Sequence, residues 1–281
     1  DNVYEDWNHA FVPTKSMFTR ALSYWLTEYK VDGFRMDLSH GFCGPNCNNR
    51  VSIMNHYYNN GVKAVASDGY FILEHWEGME ERGGYVNNGM MCWENTNNAY
   101  MQLAMGWLKD GDALNEANKD GYVSYTSSHD EQRPFWKAKK YGNGAVKTNE
   151  TTRLNRVPAT VGMCAMLNGP QMFYMFDELG YDYSFCSNAS GSGDQNDKAG
   201  YGSTQAQPCY DTDAKPIPET KGWYTNANRM NQYKKLGQLI QLRTRIAPNV
   251  FAGNPTSSDL ASGKALRSII WGSGNNRIFI I

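Results

Sequence analysis

The sequence predicts an α/β fold built on a parallel sheet, and three observations support this prediction. Short strand patterns alternate with amphipathic helix patterns, as expected when helices cross over between parallel strands. A length of 281 residues and an apolar content of 41% allow a sizeable core. No phosphate-binding glycine motif follows any strand, which disfavours nucleotide-binding versions of the fold. Two arrangements of the parallel sheet, a doubly wound sheet and a (β/α)₈ barrel, both fit these observations.

The elements are predicted in chain order from their periodicity. Apolar residues at helical spacing predict a first helix over about 14–29, and VDGFRMDL then predicts a short buried strand. Further helices are expected around the apolar faces that begin at Val51, Ala99, Val157 and Met230. Further strands are expected at YFILEHW, GMMCW, YVSYTSS and PQMFYMF. A polar loop is expected over about 181–225, and the tail RSIIWGSGNNRIFII is expected to form a hairpin that opens a β domain.

Composition excludes two classes of partner. The net charge of −1 offers no basic face for a phosphate backbone, so nucleic acid is not an expected partner. No stretch approaches the ~18 uninterrupted apolar residues of a membrane span.

The chain begins without Met and ends in an apolar run, so it is expected to be a fragment.

Six cysteines give no metal motif. Only Cys43 and Cys47 are close in sequence, and no C-x-x-C pair or zinc spacing occurs, so no metal site is predicted. A Cys43–Cys47 disulfide and a pair of free thiols both fit. Cys164 lies in an apolar stretch and is expected in the core.

Carboxylates end three of the strand patterns. Side chains alternate along a strand, so Arg35 and Asp37 share a face, and the arginine favours the ionised carboxylate. A buried ion pair that only fixes the strand explains these two residues equally well. Glu74 follows three apolar residues, and a partly dry setting favours the neutral acid that a proton donor needs. Taken alone, Glu74 is better explained as a strand-end carboxylate that faces water.

The third carboxylate belongs to SSHDEQR. His129 and Asp130 can hold substrate hydroxyls by charge-assisted hydrogen bonds, although the same residues also suit a loop turn. A Ser-His-Asp hydrolase is disfavoured because no G-x-S-x-G elbow is present. In a barrel, the carboxyl ends of the strands meet at one face, where Asp37, Glu74 and Asp130 are all expected.

These segments together resemble the α-amylase family of glycoside hydrolases, of the bacterial starch-degrading type. GFRMD resembles the family's second signature, FILEHW its third and SSHD its fourth. GPQMFYMFDELGYDYS resembles its last barrel strand and the loop that follows. The match runs from about residue 14 to about residue 246, and four segments agree in order and spacing, which makes it specific.

The resemblance implies a partial (β/α)₈ TIM barrel and a retaining cleavage of α-1,4-glucosidic bonds in starch and maltooligosaccharides. Asp37 would be the nucleophile that forms a covalent glycosyl-enzyme, and Glu74 would be the general acid/base. Asp130 would favour distortion of the bound sugar. Retaining chemistry requires the nucleophile and the acid to lie about 5–5.5 Å apart.

The resemblance also implies roles for substrate-binding residues. Arg35 would keep Asp37 ionised, and His129 would bind the same sugar as Asp130. His40 would bind sugar on the leaving-group side, with a structural role equally open, and Trp76 would shape the site.

This chain departs from the family in two places. The first signature, on barrel strand three, has no counterpart, because DWNH at residues 6–9 precedes the helix before the GFRMD strand. Residues 1–246 are therefore expected to hold barrel strands four to eight, and residues 247–281 the start of a C-terminal β-sandwich domain. Phe176 ends the last strand where a small residue is common, which affects the expected depth of the pocket. An open half-barrel has unpaired strand edges, so the isolated chain is expected to be poorly stable or to aggregate.

No cofactor is expected for the chemistry. Many family members hold calcium in the loop domain after strand three, so a structural calcium ion is an open alternative for the full-length protein. A transglycosidase (branching or cyclising) would use the same three carboxylates. A non-catalytic α-glucan-binding relative is the third interpretation, against which the presence of all three carboxylates argues. The size of the substrate implies a secreted, periplasmic or cell-surface location.

Overall fold

The structure, a computed structural model, describes residues 7–42, 49–76, 78–115, 117–197 and 208–281. The chain divides into two compact units, which are taken one at a time. The first unit comprises Asp1–Trp93 and Gly121–Val123, and the second comprises Glu94–Asp120 and Ser124–Ile281. Two strands begin in the first unit and end in the second.

The first unit alternates helix and strand. Its elements are α1 (Val12–Glu28), β1 (Gly33–Met36), α2 (Arg50–Tyr57) with a π-helical continuation (Tyr58–Lys63), β2 (Tyr70–Leu73), α3 (Met79–Val86) and the first residues of β3 (Met91–Asn95) and β4 (Tyr122–Tyr125).

The second unit contains the ends of β3 and β4 and the remaining elements. These are α4 (Asn97–Met105), α5 (Pro134–Tyr141), α6 (Ala145–Thr148), α7 (Glu150–Met166), β5 (Gln171–Met172), α8 (Pro218–Lys221), α9 (Ala227–Gln241), β6 (Ser257–Asp259), β7 (Ser268–Ser273) and β8 (Asn276–Ile280).

Strands β1 to β5 follow one another in a single sheet in chain order. The pairs β1–β2, β2–β3 and β4–β5 are parallel, which confirms the parallel sheet predicted from the alternation of strand and helix. In the β1–β2 register Arg35 is the partner of Ile72 and Met36 is the partner of Leu73. The residues directly after these two strands are Asp37 and Glu74, so the register places the two carboxylates at adjacent strand ends.

The core of the first unit forms where α1 and the π-helical segment cover the strands. Leu22 and Leu26, one turn apart on α1, are buried. A Cβ added to Gly61 would lie 3.0 Å from the Leu22 side chain, so the absence of a side chain there permits close packing. Phe71 and Leu73 alternate with more exposed residues along β2 and are completely buried.

The core of the second unit is centred on α7. The Asn149 side chain accepts a hydrogen bond from the Thr152 amide at the start of this helix. Val157, Val161 and Cys164 are buried, as their spacing predicted. α9 packs on α7 at Gly162, where an added Cβ would lie 2.7 Å from the Leu239 side chain.

The C-terminal strands form a separate antiparallel sheet in the order β6-β7-β8. The β7–β8 hairpin confirms the prediction from the tail. Strand β6 was not predicted, because its residues Ser257, Ser258 and Asp259 are polar and exposed and carry no apolar alternation. Trp271 of β7 is buried, and its indole N–H donates to the Met166 carbonyl at 2.9 Å, so this sheet is bonded to α7 within the second unit.

One disulfide is present among the described residues, between Cys186 and Cys209. It was not predicted, because a separation of 23 residues across a Gly/Ser-rich loop gives no spacing signal. Cys43 and Cys47 lie outside the described residues. Cys164 is buried and free, as expected for a core cysteine. Within the described ranges, no helix has the length and apolar character needed to cross a membrane.

Candidate active site

In the first unit, parallel pairing continues past the ends of β1 and β2. The Glu74 amide donates to the Met36 carbonyl at 3.0 Å, and the Ser39 amide donates to the Glu74 carbonyl at 2.9 Å. Asp37 and Glu74 are therefore held on the same side of the strand ends, but in different surroundings. The Asp37 side chain is 68% exposed and that of Glu74 only 4%.

Arg35 joins the two carboxylates. One guanidinium nitrogen bonds to Asp37 Oδ1, and the other lies 2.9 Å from Glu74 Oε2. The guanidinium also lies over the Trp93 ring, 4.4 Å from its centroid, and this contact fixes its plane. The pairing of Arg35 with Asp37 matches the shared strand face predicted for these residues.

Leu38 gives Glu74 a hydrogen-bond donor in addition to its ion pair with Arg35. The Leu38 amide donates to Glu74 Oε2 at 2.8 Å. Leu38 adopts a left-handed backbone conformation with φ 39°, which is unfavourable for a branched side chain. This conformation turns the chain directly after Asp37. Oε2 of Glu74 therefore accepts a hydrogen bond from the Leu38 amide and forms an ion pair with Arg35.

Ser39 and His75 form hydrogen bonds that support the turn after Asp37. Both are buried, and the Ser39 hydroxyl donates to the Glu74 carbonyl at 3.0 Å and lies 2.9 Å from His75 Nδ1. His75 Nε2 lies 3.5 Å from Glu81, which also accepts from Arg50 at 2.7 Å. His75 is thus part of the support of the carboxylate pair.

His40 and Trp76 lie beside the pair in the chain. His40 is half-buried in the 3₁₀ turn Ser39–Gly41, and its ring centroid is 6.5 Å from that of His75. Its backbone carbonyl accepts from Arg50, which ties the turn to α2. Trp76, two residues after Glu74, has 42% of its surface exposed.

In the second unit, β4 leads to His129 and Asp130. Their side chains are each about half exposed, and His129 Nε2 lies 3.3 Å from Asp130 Oδ2. The Asp130 amide donates to the Ser128 hydroxyl at 3.1 Å, which defines the turn between them. The structure therefore brings His129 and Asp130 together in the second unit, and Arg35, Asp37 and Glu74 together in the first.

Glu131 is a further carboxylate next to this pair. It accepts from the Asn95 side chain at 2.7 Å and from the Ser128 hydroxyl. Burial raises the pKa of Glu131, and the nearby Asp130 raises it further. Because the Asn95, Ser128 and Tyr125 side chains all donate to Glu131, we assign it to the support of the turn.

Buried polar side chains contact the segment that precedes the Ser128–Asp130 turn. The Asp177 side chain is completely buried, and its Oδ2 accepts from the Thr126 hydroxyl at 3.0 Å and from the Ser127 hydroxyl at 2.5 Å. Burial raises the pKa of Asp177 to about 6, against the opposing effect of the Arg133 charge. Arg133 is itself buried between the rings of Tyr174 and Tyr181, with centroid distances of 4.1 and 5.0 Å.

Phe176 precedes Asp177 and, like Leu38, has a left-handed backbone with φ 65°. Its side chain packs against the cluster formed by Leu179, Tyr181 and Trp223. The bulky residue expected to change the depth of the pocket thus contributes to this apolar cluster.

Sequence reasoning missed Ser39, Glu131 and Asp177 as parts of the site. Asp177 lay within a segment quoted for its resemblance, and Glu131 directly follows Asp130, so proximity to a motif was the available signal. Ser39 meets His75 only through pairing of segments 36 residues apart, which a single sequence does not reveal. No group of three or more metal-binding side chains is found in the described part of the chain.

Solved structures with a similar fold are α-amylase-family enzymes. They include Amy13B of Eubacterium rectale, with 17% identity, a TM-score of 0.57 and coverage of 97% of this chain and 54% of that chain. The cyclic α-maltosyl-(1→6)-maltose hydrolase of Arthrobacter globiformis in complex with maltose has 15% identity, a TM-score of 0.59 and coverage of 97% and 53%. The GBS pullulanase SAP in complex with maltotetraose has 13% identity, a TM-score of 0.61 and coverage of 94% and 41%.

This likeness establishes the fold. The chain spans about half the length of these structures, and its parallel and antiparallel sheets are consistent with part of a TIM barrel followed by a C-terminal β domain. The domain boundary at residue 246 stays a prediction. No protein-family model and no curated protein sequence matches the chain.

Proposed function

We propose that this chain carries the catalytic carboxylates of a retaining glycoside hydrolase that cleaves α-1,4-glucosidic bonds in starch-like α-glucans. The observation that carries the proposal is the Arg35 bridge between Asp37 and Glu74 at the ends of two paired parallel strands. Barrel enzymes place their chemistry at this end of the strands. Neighbours in fold that hold maltose or maltotetraose support an α-glucan as substrate.

The two carboxylates suit different roles. Asp37 is exposed and paired with a guanidinium, as an ionised nucleophile must be, and it would attack the anomeric carbon to form a covalent glycosyl-enzyme. Glu74 is buried, and its Oε2 is bonded to the Leu38 amide and paired with the Arg35 charge, so Oε1 would give its proton to the leaving oxygen. In the second step the same oxygen would take a proton from water.

Asp130 and His129 are assigned to binding of the sugar. The resemblance of SSHD to a family signature assigns Asp130 to the sugar hydroxyls, where it would favour distortion toward the transition state. Their mutual contact and half exposure suit a pair that binds a polar ligand. His40 and Trp76 would contact the sugar on the leaving-group side and the rim of the site.

The remaining parts of the proposal follow from substrate and chemistry. No cofactor enters the reaction, and a structural calcium ion in the full-length protein stays a prediction. A polymeric substrate favours a secreted, periplasmic or cell-surface protein, and the Cys186–Cys209 disulfide suits such an oxidising location.

The test is release of reducing ends from soluble starch. Asp37→Asn and Glu74→Gln should each abolish release, because each removes one chemical step. Asp68→Asn, which changes an exposed carboxylate of the same unit, is the matched control and should retain full release. Equal release by Asp37→Asn and the unsubstituted chain would overturn the proposal.

A further inference from the structure

Asp177 is a buried carboxyl that the proposed reaction does not use. It lies in the turn after β5, where Phe176 adopts a left-handed conformation and the chain then enters a 3₁₀ turn over Asp177–Leu179. The Gln232 side chain of α9 donates to the Asp177 carbonyl at 2.9 Å, which fixes the turn from its other side. Two costly features, a strained backbone and a buried acid, thus occur side by side.

The Asp177 carboxyl contacts the segment that leads to the proposed sugar-binding pair. The Thr126 and Ser127 hydroxyls both donate to Oδ2, at 3.0 and 2.5 Å. These two residues directly follow β4, where the chain leaves the ladder of the sheet. The side-chain bonds to Asp177 therefore restrain this segment beyond the strand, together with the Asn97 side chain, which donates to the Thr126 carbonyl at 2.8 Å.

Arg133 holds the same segment from α5. Its guanidinium lies 3.3 Å from the Ser127 hydroxyl and 3.3 Å from the Ser128 carbonyl. The Asp130 amide in turn bonds to the Ser128 hydroxyl. A continuous set of contacts thus runs from the Asp177 carboxyl to the backbone of Asp130.

We propose that Asp177 is a positioning residue: through the hydroxyls of Thr126 and Ser127 it fixes the segment that presents His129 and Asp130 to the sugar. This inference rests on the proposed function and adds to it a residue that does not touch substrate. Since Asp130 is assigned to distortion of the sugar, a misplaced segment slows the chemical step more than it weakens substrate binding.

The test compares Asp177→Asn, Ser127→Ala and the double variant in starch hydrolysis. Each single variant should lower kcat about tenfold or more with KM changed less than about threefold, and the double variant should be no slower than the slower single variant. Multiplying effects, or a change confined to KM, would overturn the proposal. Glu178→Gln changes the neighbouring carboxyl and serves as the control, with kcat unchanged.

A second measurement needs no activity. Amide hydrogen exchange over residues 126–130 should be at least tenfold faster in Asp177→Asn and unchanged in Glu178→Gln. Equal exchange rates in the unsubstituted chain, Asp177→Asn and Glu178→Gln would refute the positioning role even if the unsubstituted chain hydrolyses starch. Conversely, faster exchange in a chain that releases no reducing ends would support the positioning of this segment while the proposed function failed. Should Asp177→Asn not fold, Ser127→Ala removes only one hydroxyl and carries both measurements.

Discussion

At the scale of single residues, a strained position adjoins a carboxylate in each of the two units. Leu38 directly follows Asp37, and Phe176 directly precedes Asp177, and both have a left-handed backbone. Such a conformation costs a bulky residue on the order of 1–2 kcal/mol, so surrounding contacts must hold it. At Leu38 those contacts are two hydrogen bonds: the Leu38 amide donates to the Glu74 carboxylate, and the buried Ser39 hydroxyl donates to the Glu74 carbonyl. Both strained positions therefore adjoin a carboxylate, Asp37 or Asp177, whose orientation depends on the backbone.

Arg35 should contribute to stability as well as to catalysis. Arg35→Met leaves the buried Glu74 without its cation, and we expect a loss of about 1–3 kcal/mol in the free energy of unfolding. The double variant Arg35→Met/Glu74→Gln should recover part of that loss, because it no longer buries a carboxyl group that has lost its partner. Denaturant unfolding of the two variants measures the difference. A double variant less stable than Arg35→Met would contradict this account of the pair.

At the scale of secondary-structure elements, periodicity predicted most of the sheet but not its polar supports. β1, β2, β4 and the buried face of α7 followed from the pattern of apolar residues, because β2 and α7 each bury one face and β4 is buried along its whole length. The pairing of Arg35 with Asp37 followed from strand alternation. The bonds of Ser39 to His75 and of Ser127 to Asp177 join residues 36 and 50 positions apart, and no local pattern encodes them.

The buried Asp177 should make stability depend on pH. Its pKa is raised from 3.8 to about 6 by burial, so between these values the unfolded chain loses a proton that the folded chain keeps. The contribution is fully present below about pH 4 and is lost as the pH rises through about 6. The free energy of unfolding of the parent chain, relative to Asp177→Asn, should therefore fall by on the order of 2 kcal/mol between pH 4 and pH 7. Unfolding curves at both values decide this, and a constant difference would contradict it.

The loop after β5 should depend on its disulfide. Closing a loop of this size is expected to contribute about 3 kcal/mol to the free energy of unfolding. Cys186→Ser/Cys209→Ser should accordingly lower the unfolding midpoint, and reduction of the parent chain should have the same effect. Cys164→Ala removes a buried free thiol and keeps the disulfide, so reduction should lower its midpoint by as much as it lowers that of the parent chain. An unchanged midpoint in the double serine variant would show that the loop is held by other contacts.

At the scale of the whole molecule, the chain consists of two compact units, each with its own core. The proposed residues Asp37 and Glu74 belong to the first unit, and His129 and Asp130 to the second. The C-terminal sheet belongs to the second unit as well, where Trp271 bonds to α7 and the Arg267 guanidinium donates to the carbonyls of Gly111 and Asp112. The sequence indicated a separate β domain, but it gave no sign of these bonds.

Trp271 should therefore be important for the stability of the second unit. Trp271→Phe retains an aromatic ring but removes the N–H donor to Met166, and we expect a loss of about 1–2 kcal/mol. Trp271→Ala should cost about 3–5 kcal/mol, because it also removes a fully buried ring. Thermal unfolding provides the measurement, with the exposed Phe279→Ala of the same hairpin as a control of small effect. Equal effects of Trp271→Ala and Phe279→Ala would contradict the buried role of Trp271.

The most direct test of the central claim is to trap the glycosyl-enzyme. In Glu74→Gln, α-maltosyl fluoride can still react with Asp37, because fluoride leaves without a proton donor, whereas hydrolysis of the intermediate lacks its base. Mass spectrometry should find a maltosyl group on the peptide that contains Asp37, and no label in Asp37→Asn/Glu74→Gln. Label on another residue, or label that persists in the double variant, would contradict the assignment of Asp37 as the nucleophile.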